Sequence, residues 1–209
     1  MSSREHDWIR TVTGRKFYLF DSGPEEIDIE DIAHALSMQC RYNGHVQRFY
    51  SVAEHSCYVS GIVAAEMGNG GYDINIARWA LLHDAAEAYL GDVSRPLKQQ
   101  PEMERYRANE KRVQAAVAKK FGLKGEEPEM VIRADREILG MEVRALKWAE
   151  DIATVPVLPP VIPILRDITF GVSQEQAKAK FLRLYEFLWN PMWDQAKELQ
   201  PFTNSTRLN

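Results

Sequence analysis

A chain of 209 residues is long enough for one well-packed domain, and at this size folding buries roughly 70% of the unfolded chain's surface, so no disulfide stapling is required. Hydrophobic residues at 45% and charged residues at 27% exclude intrinsic disorder. A net charge of −4, from 26 Lys and Arg against 30 Asp and Glu, argues against long nucleic acid held by bulk charge. Cys40 and Cys57 are the only cysteines and form no CxxC pair, which points to a reducing compartment. No apolar run approaches the roughly 18 residues of a membrane span, and the opening MSSREHDWIR lacks the apolar core of a signal peptide. The expectation is a cytoplasmic, soluble protein forming a single domain over 1–209.

In chain order, Trp8 to Phe20 carries a Gly14-centred turn beside an aromatic run and predicts a short hairpin. Asp28 and Asp31 are placed to cap a helix in which Ile29, Ile32, Ala33 and Leu36 recur at helical spacing. Ser51 with Glu54 matches a capping box, and Val52, Val59, Ile62, Val63 and Met67 then mark one apolar face up to Gly68. After the glycine-rich GNGGYD, a third helix is predicted from Ile74 to Leu90, stopped by Gly91. Pro101 opens a fourth, with Tyr106, Val113, Val117 and Phe121 as its stripe, and Pro128 a fifth running toward Trp148. The proline-rich Val155 to Leu165 predicts an extended connection. Ser173 with Gln176 is a second capping box, starting a last helix through Leu184 and Leu188. The fold class is therefore all-α, a helical bundle with a short N-terminal β-hairpin.

Histidines and carboxylates stand on or beside the apolar helix faces. His55 lies one turn into its helix, on the side of Val52, Val59 and Ile62. His83 and Asp84 follow the apolar run Trp79 to Leu82, and Asp135 sits between Ile132 and the pair Ile138 and Leu139. A buried, ionised Asp is expensive unless a cation or several donors compensate it. Two imidazoles and two carboxylates give a divalent ion a mixed nitrogen and oxygen shell, leaving room for water and a phosphate oxygen. Singly, each residue has an ordinary reading: a hydrogen-bonded core histidine, an Asp84–Arg pair, a His83–Glu87 pair on a helix surface. His6, His34 and His45 are taken as non-ligands. A His, then His-Asp, then a distant Asp on an apolar face is harder to obtain by accident.

That order, His55, His83-Asp84 twenty-eight residues later, then Asp135, resembles the signature of the HD-domain metal-dependent phosphohydrolases. RYNGHVQRFYSVAEHS followed by ALLHDAAEAYLGDVSRPLK is similar to the branch holding the bacterial 5'-deoxynucleotidases and the phage dATP triphosphohydrolases, over about residues 28–150. The resemblance implies an HD-domain helical fold with one divalent transition ion (zinc, manganese or cobalt foremost) held by His55, His83, Asp84 and Asp135. It implies general acid or base roles for Glu87 and Asp92, chemically reasonable because a leaving oxygen needs a proton and water must lose one. Asp92 also reads as a turn residue beside Gly91. Arg41 matches an arginine facing phosphate or sugar, and Lys98, helped by Arg95, a basic group near the phosphates; Arg95 and Lys98 also read as solvated loop charges. The chain has Arg41-Tyr42 where the deoxynucleotidases typically have Arg-Trp; Tyr42 remains able to stack on a base or sugar.

The resemblance implies hydrolysis of small (2'-deoxy)nucleotides by metal-activated water, releasing phosphate from deoxynucleoside 5'-phosphates. A dATP or dNTP triphosphohydrolase is the alternative, since Arg41, Arg95, Lys98, Lys111 and Arg112 are available for more phosphates and Arg48 and Lys147 are further unassigned cations. A non-catalytic nucleotide-binding or scaffolding protein with a structural metal is another. The partner class is a small nucleotide, with neither long nucleic acid nor membrane; Trp189 and Trp193 suit core packing or a homo-oligomer interface.

Overall fold

The computed structural model describes residues 7–67, 73–146 and 170–193, and helix dominates them. The chain opens on a two-stranded antiparallel hairpin, β1 (Trp8–Arg10) and β2 (Lys16–Tyr18), paired Trp8 to Tyr18, Ile9 to Phe17 and Arg10 to Lys16. Gly14 supplies the left-handed residue of its turn, at φ 84°. The helices follow as α1 (Ile29–Met38), α2 (Val52–Met67), α3 (Ile74–Leu82), α4 (Glu87–Leu90), α5 (Arg95–Lys98), α6 (Glu104–Phe121), α7 (Glu129–Ala145) and α8 (Gln174–Leu188). The all-α expectation with an N-terminal hairpin holds. Among the described residues no helix is long and apolar enough to cross a membrane.

Local chemistry explains most of the boundaries. Asp28 caps α1 by accepting from Glu30 N, and Asp73 caps α3 by accepting from Asn75 N. Ser173 and Gln176 form the reciprocal capping box of α8. At Ser51 only half of the expected box forms. The hydroxyl accepts from Glu54 N at 3.1 Å, but the Glu54 carboxylate turns away to take the Tyr58 hydroxyl and the backbone N–H groups of Gly171 and Val172. Asp31 does not cap; it holds the hairpin turn, accepting from Thr13 N at 2.8 Å and the Thr13 hydroxyl at 2.9 Å.

α2 is the centre of the bundle, packed by α1, α3, α7 and α8. One apolar face was expected there, but twelve of its sixteen residues are buried, including the polar Glu54, His55, Ser56 and Ser60. A helix buried along most of its surface has little face to give to water, so its buried polar residues have partners or a task. The hairpin covers one end of this core: Phe17 is fully buried and stacks on Tyr89 with ring centroids 3.9 Å apart. At the other end Trp189 stacks on Tyr185 and donates its Nε1–H to the Phe121 carbonyl, while Trp193 donates to that of Phe187. On α7 the expected inward pair separates, for Ile138 is buried and Leu139 is 39% exposed.

The single helix expected over Ile74–Leu90 is two helices. Gln114 of α6 inserts its amide where the Leu82 carbonyl would accept from Ala86 N. Its Nε2 donates to Leu82 O at 2.7 Å and its Oε1 accepts from Ala86 N at 3.1 Å. With that bond diverted, the backbone tightens into i to i−3 bonds from Ala85, Glu87 and Ala88. His83 and Asp84 stand in this break. Residues 68–72 of the glycine-rich stretch, the proline-rich Val155–Leu165, Lys147, the predicted extension of α7 to Trp148 and His6 lie outside the described residues.

Candidate metal centre

Three elements bring the expected quartet together. α2 contributes His55, the break after α3 contributes His83 and Asp84, and α7 contributes Asp135. His55 Nε2 lies 3.6 Å from Asp84 Oδ2 and 3.1 Å from Asp135 Oδ1. His83 Nε2 lies 3.3 Å and 4.0 Å from the same two oxygens. Ligand atoms of His55, His83 and Asp84 all fall within 4.8 Å of one another. The two rings are 5.3 Å apart between centroids.

The chemistry of this donor set fits a divalent ion. Each imidazole is anchored through Nδ1, His55 to Glu142 Oε1 at 2.7 Å and His83 to the Ala80 carbonyl at 2.9 Å. Among the described residues each Nε2 is buried and makes no hydrogen bond, only the close approaches to the Asp84 and Asp135 carboxylates given above. Buried polar nitrogens left unsatisfied are uncommon in a folded core. Here both sit beside the same pair of carboxylates, with Nδ1 tied down as in metal-binding histidines. Asp84 is subject first to desolvation, which opposes ionisation. His83, His55 and Arg41 outweigh it and hold the carboxyl well below the usual range. Burial works against a charged His83 as well, yet Asp84 and then Asp135 raise it to about 10. The site is built to hold positive charge.

A cavity of about 290 Å³ opens beside the cluster, lined in part by His83, Asp84, Glu87, Lys98 and Asp135. Glu87 begins α4, one turn after Asp84, and its Oε2 is buried with no partner. Desolvation, followed by Asp84 and Asp92, pushes its carboxyl well above the usual value. Lys98 donates to Glu87 Oε1 at 3.2 Å and to Glu110 Oε1 at 2.7 Å, so its ammonium is part of the cavity wall rather than a solvated charge. Asp92 follows Gly91, and burial lifts its carboxyl against the pull of Arg41. One side chain spans both carboxylate segments, because Gln39 donates to Glu87 O and accepts from Asp92 N, each at 2.9 Å.

Arg41 places its guanidinium 3.6 Å from Asp84 and 3.7 Å from Glu142, with only 16% of the side chain exposed. Tyr42 adopts a left-handed backbone and donates its hydroxyl to Glu142, which puts it behind His55 and Arg41. Arg95 is exposed at the start of α5 and does not line the cavity. Of the remaining cations considered for phosphate, Lys111 reaches the cavity. Arg112 does not; it donates to the carbonyls of Leu19 and Ser22.

Glu142, Tyr50 and Gln39 were missed in the sequence. Glu142 had a readable signal: it stands seven residues after Asp135, two helical turns along the same face, between Met141 and Val143. Gln39 and Tyr50 carry no such signal, because their partners are remote in the chain.

No family model matches the chain. It is similar to the uncharacterized protein YfdR of Escherichia coli (strain K12), 34% identical over 177 residues that span 81% of this chain and 93% of that protein. It is also similar to the uncharacterized protein RCAP_rcc00048 of Rhodobacter capsulatus, 41% identical over 133 residues, 61% of this chain and 64% of that protein. With that identity sustained over nearly the whole length of the first of these relatives, the chain belongs to the family of Escherichia coli YfdR.

Proposed function

We propose that the chain is an HD-domain-type phosphohydrolase that cleaves phosphate from small (2'-deoxy)nucleotides. The observation that carries this reading is the convergence of His55, His83, Asp84 and Asp135 beside a cavity lined by Glu87, where, among the described residues, both Nε2 atoms and Glu87 Oε2 are buried without a hydrogen bond. His55, His83, Asp84 and Asp135 would hold one divalent transition ion, with manganese, cobalt and zinc suited to mixed imidazole and carboxylate ligation. When bound, such an ion polarises a phosphoryl oxygen and makes a nearby water more acidic.

The chain's own groups supply the rest. Glu87, whose carboxyl is held well above its usual value by burial and by the neighbouring Asp84 and Asp92, serves as the acid that protonates the leaving oxygen. Asp92 flanks it as a second proton-handling carboxyl. Arg41 sets a fixed positive charge at the edge of the cluster, where a phosphate's oxygens are attracted. Lys98 binds Glu87 and Glu110 and keeps the Glu87 carboxyl aimed at the cavity.

Charge balance favours a monophosphate over a triphosphate. Besides Glu87, the cavity is lined by Asp84, Glu110, Glu127 and Asp135 against Lys98 and Lys111, and every added phosphate meets those carboxylates. The test is a hydrolysis screen of all dNMPs, NMPs, dNTPs and NTPs with manganese, cobalt and zinc in turn, products resolved by chromatography. Phosphate release from dNMPs alone supports the reading. Deoxyadenosine from dATP with the monophosphates intact replaces it with triphosphohydrolysis, and no turnover on any of them with metal bound removes the activity.

A further inference from the structure

Behind the cluster, on the side away from the cavity lining, lies a carboxylate with an unusual number of partners. Glu142 is completely buried. Its Oε1 takes His55 Nδ1 at 2.7 Å and the Tyr50 hydroxyl at 2.7 Å. Its Oε2 takes the Tyr42 hydroxyl and lies 3.7 Å from an Arg41 nitrogen. An isolated buried carboxylate is very costly, and this one is compensated by four groups drawn from two stretches of chain, Arg41–Tyr42 and Tyr50–His55.

The backbone around Arg41 is distorted to reach it. Tyr42 and Asn43 adopt φ of 58° and 52°, followed by Gly44 at 77°. Consecutive left-handed residues that are not glycine are strained, so they persist where other contacts over-determine them. The Tyr42 hydroxyl on Glu142 is such a contact.

We propose that Glu142 is a positioning residue, fixing His55 in the tautomer that carries hydrogen on Nδ1 and leaves Nε2 free toward Asp84 and Asp135, while seating the Arg41 guanidinium beside the same centre. The two tyrosine hydroxyls and Arg41 are donors, so Glu142 is the acceptor in this group, and His55 must donate to it from Nδ1. A carboxylate behind a ligating imidazole orients the ring and raises its basicity. Among the described residues His83 Nδ1 meets the Ala80 carbonyl rather than a carboxylate. The inference rests on the metal-site reading above, but not on the identity of the substrate.

The experiment is cobalt titration of the full chain, read by the visible absorption of the bound ion and by chelator competition, with no nucleotide present. Glu142→Gln keeps the shape and removes the charge. The expected result is a shifted cobalt spectrum and affinity weakened about 10- to 100-fold, with the helical circular dichroism retained. Glu142→Gln that folds and matches wild-type spectrum and affinity overturns the proposal. Should Glu142→Gln fail to fold, Glu142→Asp decides, because it keeps the charge but withdraws it from Nδ1. A weakened, shifted site there supports the positioning role, and wild-type behaviour overturns it. Wild type that binds no cobalt overturns the positioning and the metal site together. Wild type that binds cobalt but hydrolyses no nucleotide ends the proposed activity alone and leaves the cobalt comparison standing.

Discussion

Arg41 and Glu87 are both charged-type residues beside the cluster, and their surroundings give them opposite sensitivities. Arg41 is one of the positive partners of the fully buried Glu142, so removing it does more than weaken a phosphate contact. Breaking a buried pair from one side leaves a charge uncompensated, which typically costs about 3–5 kcal/mol. Arg41→Ala is expected to lose stability on that scale in urea denaturation, besides losing activity. Glu87 is different because its Oε2 has no partner to abandon. Glu87→Gln is expected to keep the melting temperature and cobalt affinity while turnover falls about 10²- to 10⁴-fold, the usual contribution of a positioned acid. Wild-type turnover in that variant would remove Glu87 from the mechanism. At this scale the candidate ligands were legible in the sequence, because His55 and Asp135 are polar residues beside apolar ones at helical spacing. Glu142 was legible only in retrospect, since a buried glutamate looks like any other until its partners are known.

Among the elements, the division between α3 and α4 matters most for the site. A continuous helix would point His83 and Asp84 about 100° apart around its axis. The Gln114 amide between Leu82 O and Ala86 N breaks that regularity and lets both side chains approach one point. Gln114→Leu removes both bonds at once. The expected outcome is destabilisation of about 1–3 kcal/mol from unpaired backbone groups, with weaker cobalt binding by titration. Retained stability together with unchanged cobalt affinity would show that the break does not depend on Gln114. Nothing local announced it: Ile74 to Leu90 contains no proline or glycine, so propensity and periodicity both read as one helix. The interrupting group lies 28 residues beyond Ala86, on another helix.

For the whole molecule, the candidate metal site draws on α2, the break after α3, and α7, and these helices meet around α2. An ion that binds only the folded chain stabilises all of them, by about 2.7 kcal/mol when free ion stands at 100 times its dissociation constant. Manganese or cobalt is expected to raise the melting temperature of wild type and to leave that of Asp84→Ala unchanged. An equal rise in both would place the ion elsewhere. What the sequence by itself determined was the helical class, most helix starts and the His, His-Asp, Asp order, because caps and 3.6-residue periodicity act over a few neighbouring residues. Only the tertiary structure decided that α2 is buried along most of its surface, that the third helix breaks at His83 and Asp84, and that Glu142 stands behind His55. Each of these depends on groups far apart in the chain, and such contacts leave no periodic trace in either partner.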